Sequence, residues 1–150
     1  MMGKYISSTR IIVMAAALAL CLMPAMVLPA AAEDFVVVAH KDLGVSAVTS
    51  AELESIFLGK MSTWSSGEKV TIAILDEDAT LEKFLAKYVH KTASQFNNYW
   101  KQMVFTGKAG MPDTFKTPAE IISFVGSHPG AISFVPAAAA SGAVKTLTVN

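Results

Sequence analysis

Two residue types that often build structural and binding sites are almost missing from this 150-residue chain. Its only cysteine is Cys21 and its only arginine is Arg10, both close to the amino terminus. From residue 33 onwards, the sequence therefore offers neither a disulfide nor a cysteine-ligated metal site, and packing must hold the fold together. Arginine is also the usual bidentate partner of phosphate and carboxylate groups. An anion site in this region must instead use lysine, hydroxyl and backbone N–H groups.

The first 32 residues have the layout of a secretory signal peptide. Lys4 and Arg10 precede an apolar run over 11–28, and a group of alanines ends at Ala32. The run is long enough for an uncleaved membrane anchor, but its prolines and its alanine-rich end favour cleavage after Ala32. The bulky residue before Cys21 argues against lipid attachment. We expect a periplasmic or secreted protein with no stable membrane anchor once the signal is removed.

The segment 33–150 contains 118 residues, which suits one domain with a sizeable core. It carries ten lysines against twelve acidic residues, a net charge of −2 with histidine neutral. This balance gives no support for binding nucleic acid or an anionic membrane surface.

Strands and helices alternate along this segment. The β-branched and apolar runs at 35–39, 70–75, 131–135 and 144–149 predict four strands. Amphipathic spacing predicts four helices between them, and three of these helices begin with capping signals at Thr49, Thr92 and Thr117. The order β-α-β-α-α-α-β-β favours an α/β fold with a mainly parallel sheet flanked by helices.

Several segments resemble one known family. Residues 56–64 read Ile-Phe-Leu-Gly-Lys-Met-Ser-Thr-Trp, and residues 128–136 read His-Pro-Gly-Ala-Ile-Ser-Phe-Val-Pro. With Trp100 and the run Phe105-Thr106-Gly107-Lys108, they resemble the phosphate-type substrate-binding proteins of bacterial ABC importers, in the type 2 periplasmic-binding-protein-like superfamily. In that family, such segments belong to one lobe of a two-lobed clamp. The resemblance covers about 36–135 and implies a single-lobe, exported, non-enzymatic domain that works with an ABC permease or another envelope protein.

The chain departs from this family at the loop that follows the strand at 70–75. Phosphate binders of this type carry an arginine and a Ser-Gly-Thr-like turn there, whereas this chain reads Asp76-Glu77-Asp78-Ala79-Thr80. A carboxylate about 4 Å from an anion costs on the order of 4 kcal/mol near a protein surface. The acidic residues have three readings: helix N-terminal stabilisation, rejection of fully ionised anions, or a hard-cation site that lacks the usual longer ligand loop.

The candidate ligand site lies at the start of the helix that follows this loop. The resemblance places an anion near Asp78 and Ala79, with the hydroxyl of Thr80 as donor and Trp64 on the rim. The alternative for Trp64 is a place in the local core. The loop Thr106-Gly107-Lys108 is a second candidate, because its glycine lets backbone N–H groups converge while its lysine adds charge. Its alternative is an ordinary interhelical turn with a solvated lysine.

No catalytic or metal-binding pattern is evident. His40, His90 and His128 are widely separated, and no serine has the partner spacing of a nucleophilic triad. We therefore expect neither an enzyme nor a bound cofactor or metal. The predicted function is recognition of a small oxyanion such as phosphate, in uptake or sensing. The alternative is a protein-interaction module that has kept the lobe and lost the anion site.

Overall fold

The computed structural model describes residues 34–150, and the predicted signal peptide lies outside this part of the chain. The strands there are β1 (Phe35–Ala39), β2 (Ala47–Val48), β3 (Thr71–Leu75), β4 (Asp113–Phe115), β5 (Ala131–Pro136) and β6 (Lys145–Val149). The α-helices are α1 (Ser50–Phe57), α2 (Asp78–Phe84), α3 (Ala93–Phe105) and α4 (Pro118–Ser127). A π-helical turn, Leu85–Val89, extends α2, and a 3₁₀ turn, Ala137–Ala139, follows β5.

The strands form one six-stranded sheet in the order β2-β6-β1-β5-β3-β4. Only β1 is reversed: it pairs antiparallel with both β5 and β6. The pairs β2–β6, β3–β4 and β3–β5 are parallel, so five strands run in one direction. The predicted α/β fold with a mainly parallel sheet flanked by helices is confirmed.

Threonines begin three of the helices, as the sequence predicted. At α1, the Glu52 amide donates to Thr49 Oγ1 at 3.2 Å while the Thr49 amide donates to the Glu52 carboxylate at 2.8 Å. The same reciprocal bonds form at Thr92 and Thr117. Each box satisfies N–H groups that a helix leaves without partners at its start.

An aromatic cluster joins α1 and α2 to the sheet. The ring of Phe84 stacks on Phe134 of β5 at 4.0 Å between centroids, and Phe57 meets Phe84 edge-on at 4.7 Å. Phe35 of β1 and Tyr88 of the π-helical turn complete the cluster. All five rings are at most 5 % exposed, so burial of large apolar surface stabilises this junction.

Three elements were not predicted. Strands β2 and β4 have only two and three residues, too few to show an alternating pattern. The π-helical turn places Leu85, Tyr88 and Val89 in the core. It was not predicted because the same spacing of apolar residues also fits an α-helix. His90 ends the turn in the left-handed conformation, with φ of 56°.

Candidate functional site

A shallow pocket of about 40 Å³ opens at the carboxyl end of β3. Leu81 of α2, Trp100 of α3 and Met111 of the following loop form part of its apolar wall. Its polar lining consists of Asp76, Asn97 and Thr114. One water needs roughly 10–15 Å³ of such space, so the pocket suits a solute of a few heavy atoms. Ligands in open α/β sheets commonly bind beyond the carboxyl ends of strands.

An ion pair stands at this pocket because β3 and β4 run in parallel. The register pairs Leu75 with Phe115, which places the next residues, Asp76 and Lys116, side by side. The Asp76 amide donates to the Phe115 carbonyl at 2.8 Å, and Lys116 Nζ lies 2.6 Å from Asp76 Oδ2. Hydrogen bonding and charge attraction from Asp76 raise the pKa of Lys116. One lining residue of the pocket, Asp76, is therefore a carboxylate that is paired with a lysine next to the pocket.

The start of α2 lies beside the pocket, but its hydroxyl is engaged. Thr80 Oγ1 donates to Glu77 Oε2 at 2.8 Å, and Thr80 is only 9 % exposed. The predicted role of Thr80 as a donor to an anion thus requires the Glu77 side chain to turn away. Asp78 and Ala79 are exposed on the first turn of the helix. A carboxylate at Asp78 favours the helix terminus whether or not a ligand binds.

The Thr106–Lys108 segment ends α3 instead of forming an open anion concavity. The Gly107 amide donates to the Val104 carbonyl at 3.0 Å and the Lys108 amide to the Met103 carbonyl at 2.9 Å. Gly107 has φ of 69°, so these bonds make a Schellman motif. With its amides turned back to the helix, the segment does not provide the predicted anion donors. The carboxyl end of a helix also carries partial negative charge, which disfavours an anion.

Trp64 belongs to the core and not to the rim of the pocket. The residue is 3 % exposed, and its indole Nε1 donates to the Gly130 carbonyl at 2.9 Å. The chain between Thr63 and Lys69 folds into a small antiparallel turn that holds the ring in place. The prediction that Trp64 lies on the rim of the ligand site is therefore wrong, and the alternative, that this tryptophan covers the local core, is the one observed.

The segments that resemble the family form a buried unit, here called the clasp: Phe57, Leu58, Gly59, Trp64, Tyr99, Trp100 and Gly130. The Phe57 and Leu58 carbonyls are left without helical partners at the end of α1. Trp100 Nε1 donates to the Phe57 carbonyl at 3.1 Å, and Tyr99 Oη donates to the Leu58 carbonyl at 2.6 Å. Gly59 adopts φ of 67°, and a Cβ there would lie 2.8 Å from the Trp100 ring. The motif is thus explained by capping and close packing.

The structure brings only part of the predicted site together. Asp78, Ala79 and Thr80 lie at the helix start next to pocket residue Leu81, whereas Trp64 and the Thr106–Lys108 segment are absent from the pocket lining. Sequence reasoning missed Asn97, Thr114 and Lys116. In the sequence, the one distinctive feature of Lys116 is that it directly precedes the capping residue Thr117. Its proximity to Asp76 could not be predicted without knowing the β3–β4 register.

Two other polar groups in the described part of the chain, on Ser133 and His128, have structural partners. The buried Ser133 hydroxyl donates to the Ala73 carbonyl at 2.7 Å, and the His128 ring stacks on Phe124. Across residues 34–150, no three His, Cys, Asp or Glu side chains are grouped so that they could hold a metal ion. The same residues contain no helix with both the length and the apolar character needed to cross a bilayer.

Comparisons with known proteins identify the fold through structure. No protein-family model matches the chain, and no curated protein sequence matches it. A putative phosphate ABC transporter substrate-binding protein with bound phosphate from Clostridium perfringens matches with a TM-score of 0.60 and 18% identity, over 77% of this chain and 44% of that one. The described residues therefore share the fold of the part of that protein which they match.

Two further solved structures agree. PstS from Borrelia burgdorferi matches with a TM-score of 0.58 at 15% identity, over 78% of this chain and 47% of that one. An ABC-type phosphate transport receptor from Vibrio cholerae matches with a TM-score of 0.54 at 12% identity, over 77% and 46%. The chain spans less than half the length of each of these proteins, which fits a single lobe. The resemblance seen in the sequence is therefore supported at the level of the fold.

Proposed function

We propose that this protein is an exported, non-catalytic solute-binding domain whose ligand is a small oxyanion that still carries a proton, such as hydrogen phosphate. The observation that supports this proposal is the Lys116–Asp76 pair at the pocket, where a donor and an acceptor stand 2.6 Å apart. The names of the structural neighbours make phosphate the first solute to test.

The pair suits such a ligand chemically. Lys116 donates hydrogen bonds and compensates negative charge, while the Asp76 carboxylate accepts a hydrogen bond from the O–H group that a partly protonated oxyanion keeps. Asn97 and Thr114 add an amide and a hydroxyl on the pocket wall. A fully ionised anion such as sulfate has no O–H to donate to Asp76, so the carboxylates of Asp76, Glu77 and Asp78 repel it without a compensating hydrogen bond. We therefore expect phosphate to bind more tightly than sulfate.

Thermal melting and isothermal titration calorimetry with phosphate, arsenate, sulfate and nitrate test this function. A ligand present at 100 times its dissociation constant stabilises the protein by about 2.7 kcal/mol. Lys116→Ala and Asn97→Ala should weaken binding, while Lys41→Ala, at an exposed turn after β1, serves as the matched control. If no oxyanion produces heat or a melting shift, the proposed ligand class is wrong.

The alternative function is a protein-interaction module without a solute. It is favoured by the engaged Thr80 hydroxyl and by the amides of Gly107 and Lys108, which cap α3 and leave those two places without free donors. Under this alternative, the partner is an ABC permease or another envelope protein. The interaction module would be favoured over the solute-binding domain by two results together. No anion in the panel would bind, and the purified protein would form a saturable complex with one purified envelope partner.

Export can be checked independently of either function. We propose cleavage after Ala32 and release into the periplasm, because the fold neighbours are transport receptors and the amino-terminal sequence has the signal layout. Expression of the full chain, followed by cell fractionation and intact-mass measurement, reports both the compartment and the cleavage site. Retention of residues 1–32 in the membrane fraction would contradict this proposal.

A further inference from the structure

Three large apolar side chains are exposed at the end of α3 and in the loop that follows it. They are Val104, Phe105 and Met111, here called the α3-end patch. Phe105 is 92% exposed, Met111 51% and Val104 43%, and they are the large hydrophobic residues that the described chain leaves exposed. Single exposed apolar residues are common on protein surfaces. Val104 and Phe105 are adjacent at the end of α3, and a phenylalanine in nearly full contact with solvent favours an interaction surface.

Charges of both signs border the patch. Lys101 lies one helical turn before Phe105, Lys108 lies in the turn that ends α3, and Asp113 opens β4 just after Met111. All three are exposed, and their side chains form no ion pair or hydrogen bond with any residue in 34–150. An apolar centre with a polar rim is the usual anatomy of a protein–protein interface.

We propose that the α3-end patch is the contact surface for a second copy of this chain, related by a two-fold axis. In such an interface, the same patch occurs on both sides, so it must be complementary to itself. The rim meets this condition because the lysines of one copy can pair with Asp113 of the other. An anionic membrane surface is a poorer fit, since it would attract the lysines and repel Asp113.

The size of the patch sets the strength of the contact. A buried aromatic side chain contributes about 150–250 Å², so the two Phe105 rings together supply roughly 300–500 Å². Interfaces below about 1,200 Å² in total are weak and transient. We therefore expect reversible dimerisation with a dissociation constant in the micromolar range or weaker.

The second copy would also affect the pocket. Met111 belongs both to the α3-end patch and to the pocket wall, so the contact covers one side of the pocket opening. The dimer proposal does not depend on solute binding, because the patch and its rim are present whether or not the pocket is occupied. Its test uses self-association alone, and its failure leaves the anion panel as an independent result.

Sedimentation equilibrium is the main test, on protein purified after expression of the full chain. Samples from about 10 µM to about 1 mM cover the range of weak association. We expect the weight-average mass to rise toward that of a dimer. Phe105→Ser should weaken association at least tenfold without lowering Tm, because the ring has few contacts to lose. A constant monomer mass over this range, or association that Phe105→Ser leaves unchanged, would overturn the proposal.

Charge exchange tests the two-fold arrangement itself. Lys101→Glu/Lys108→Glu and Asp113→Lys should each prevent self-association, because each variant faces like charges across the axis. Mixed in equal amounts, the two variants should form a heterodimer. Lys41→Glu, at an exposed turn elsewhere, is the matched control and should dimerise as the wild type does. If the mixture stays monomeric, the proposed pairing is wrong. Monomeric wild type that floats with phosphatidylglycerol vesicles through Phe105 would show a membrane surface instead and would equally reject the dimer.

Discussion

The clasp and the pocket edge differ in burial and in how their polar groups are hydrogen-bonded. In the clasp, Trp64 and Trp100 are each 3 % exposed, and both indole N–H groups donate to backbone carbonyls. At the pocket edge, defined here as Asp76, Asn97, Thr114 and Lys116, the side chains are accessible and the main contact is one ion pair. The indole N–H groups of the clasp are buried and hydrogen-bonded, whereas the pocket edge keeps polar groups available to a ligand.

This contrast explains why the chain resembles a family mainly at positions that are required by packing. The recognisable motif, from Phe57 to Trp64 and again at Gly130, is required by packing. A Cβ at Gly130 would lie 2.2 Å from the Lys69 carbonyl oxygen, so this position excludes other residues. The acidic loop at 76–78 has no such constraint, since Glu77 and Asp78 are exposed. Family likeness in this molecule therefore reports the fold, and the ligand must be inferred from the pocket edge.

The strongest test of the clasp is Trp100→Ala. It removes a buried ring, the hydrogen bond to the Phe57 carbonyl and the surface that packs against Gly59. Large-to-small changes at buried aromatic residues cost about 3–5 kcal/mol. We expect a loss of this size in the free energy of unfolding, measured by urea denaturation, or failure of the protein to fold.

Trp100→Phe separates the ring from its hydrogen bond. It keeps most of the apolar surface and leaves the Phe57 carbonyl without its indole donor, so the loss should be smaller than for alanine. Equal losses for both substitutions would mean that the ring contributes little by packing, and the clasp would not be the stabilising unit described above.

The glycines at the ends of α1 and α3 offer a matched pair. Gly59 and Gly107 occupy the same position after their helices, with φ of 67° and 69°. A Cβ at Gly59 would meet Trp100 at 2.8 Å, whereas a Cβ at Gly107 has no neighbour within 4 Å. Gly107→Ala should cost about 1 kcal/mol, the strain of a left-handed alanine. Gly59→Ala should cost a further 1–3 kcal/mol or so from overpacking. Equal losses in chemical denaturation would show that the Trp100 contact is not restrictive.

Local signals in the sequence were sufficient for most of the fold. The capping boxes at Thr49, Thr92 and Thr117 depend on residues three positions apart, so they could be predicted without tertiary information. The direction of β1 could not be predicted, because strand direction depends on how the chain returns to the sheet. The short strand β4 was missed because it exists through its pairing with β3.

The site was harder to predict for the same reason. Lys116 is an ordinary surface lysine in the sequence, and only the β3–β4 register brings it to Asp76. Trp64 was ambiguous, because a tryptophan on a loop fits a rim or a core equally well until its partner, the Gly130 carbonyl, is known. Contacts over 40 or more residues decided both cases.

The capping box of α4 links the core to the pocket edge. Glu120 accepts hydrogen bonds from the amides of Thr117 and Lys116, and these bonds, with the Thr117 hydroxyl, lower the pKa of Glu120. Thr117→Ala should cost about 1 kcal/mol near neutral pH, the usual value of a helix cap. Urea denaturation measures this loss, and Ser123→Ala, at an exposed position in the same helix, is the control.

The same box predicts an acid dependence. Since the pKa of Glu120 is lower in the folded state than its unfolded value of about 4.3, its contribution is present above that value and is lost as pH falls through the folded pKa. Glu120→Gln makes the box resemble the one at α3, which uses the neutral Gln95. The difference in unfolding free energy between wild type and Glu120→Gln should therefore shrink as the pH is lowered from about 5 to about 2.5. A difference that stays constant over this range would contradict the charge-based account of this cap.

The smallest expected effect on stability belongs to the pocket edge. Lys116 and Asp76 are 78% and 38% exposed at their side chains, and exposed ion pairs add little to stability because water and salt screen them. Lys116→Ala should therefore leave Tm within error of the wild type while it weakens oxyanion binding. Lys83→Ala removes another close ion pair, with Asp34, and should change neither property. If Lys116→Ala instead lowers Tm as strongly as a clasp substitution does, the ion pair is part of the framework, and the division between a structural clasp and a ligand-binding edge fails.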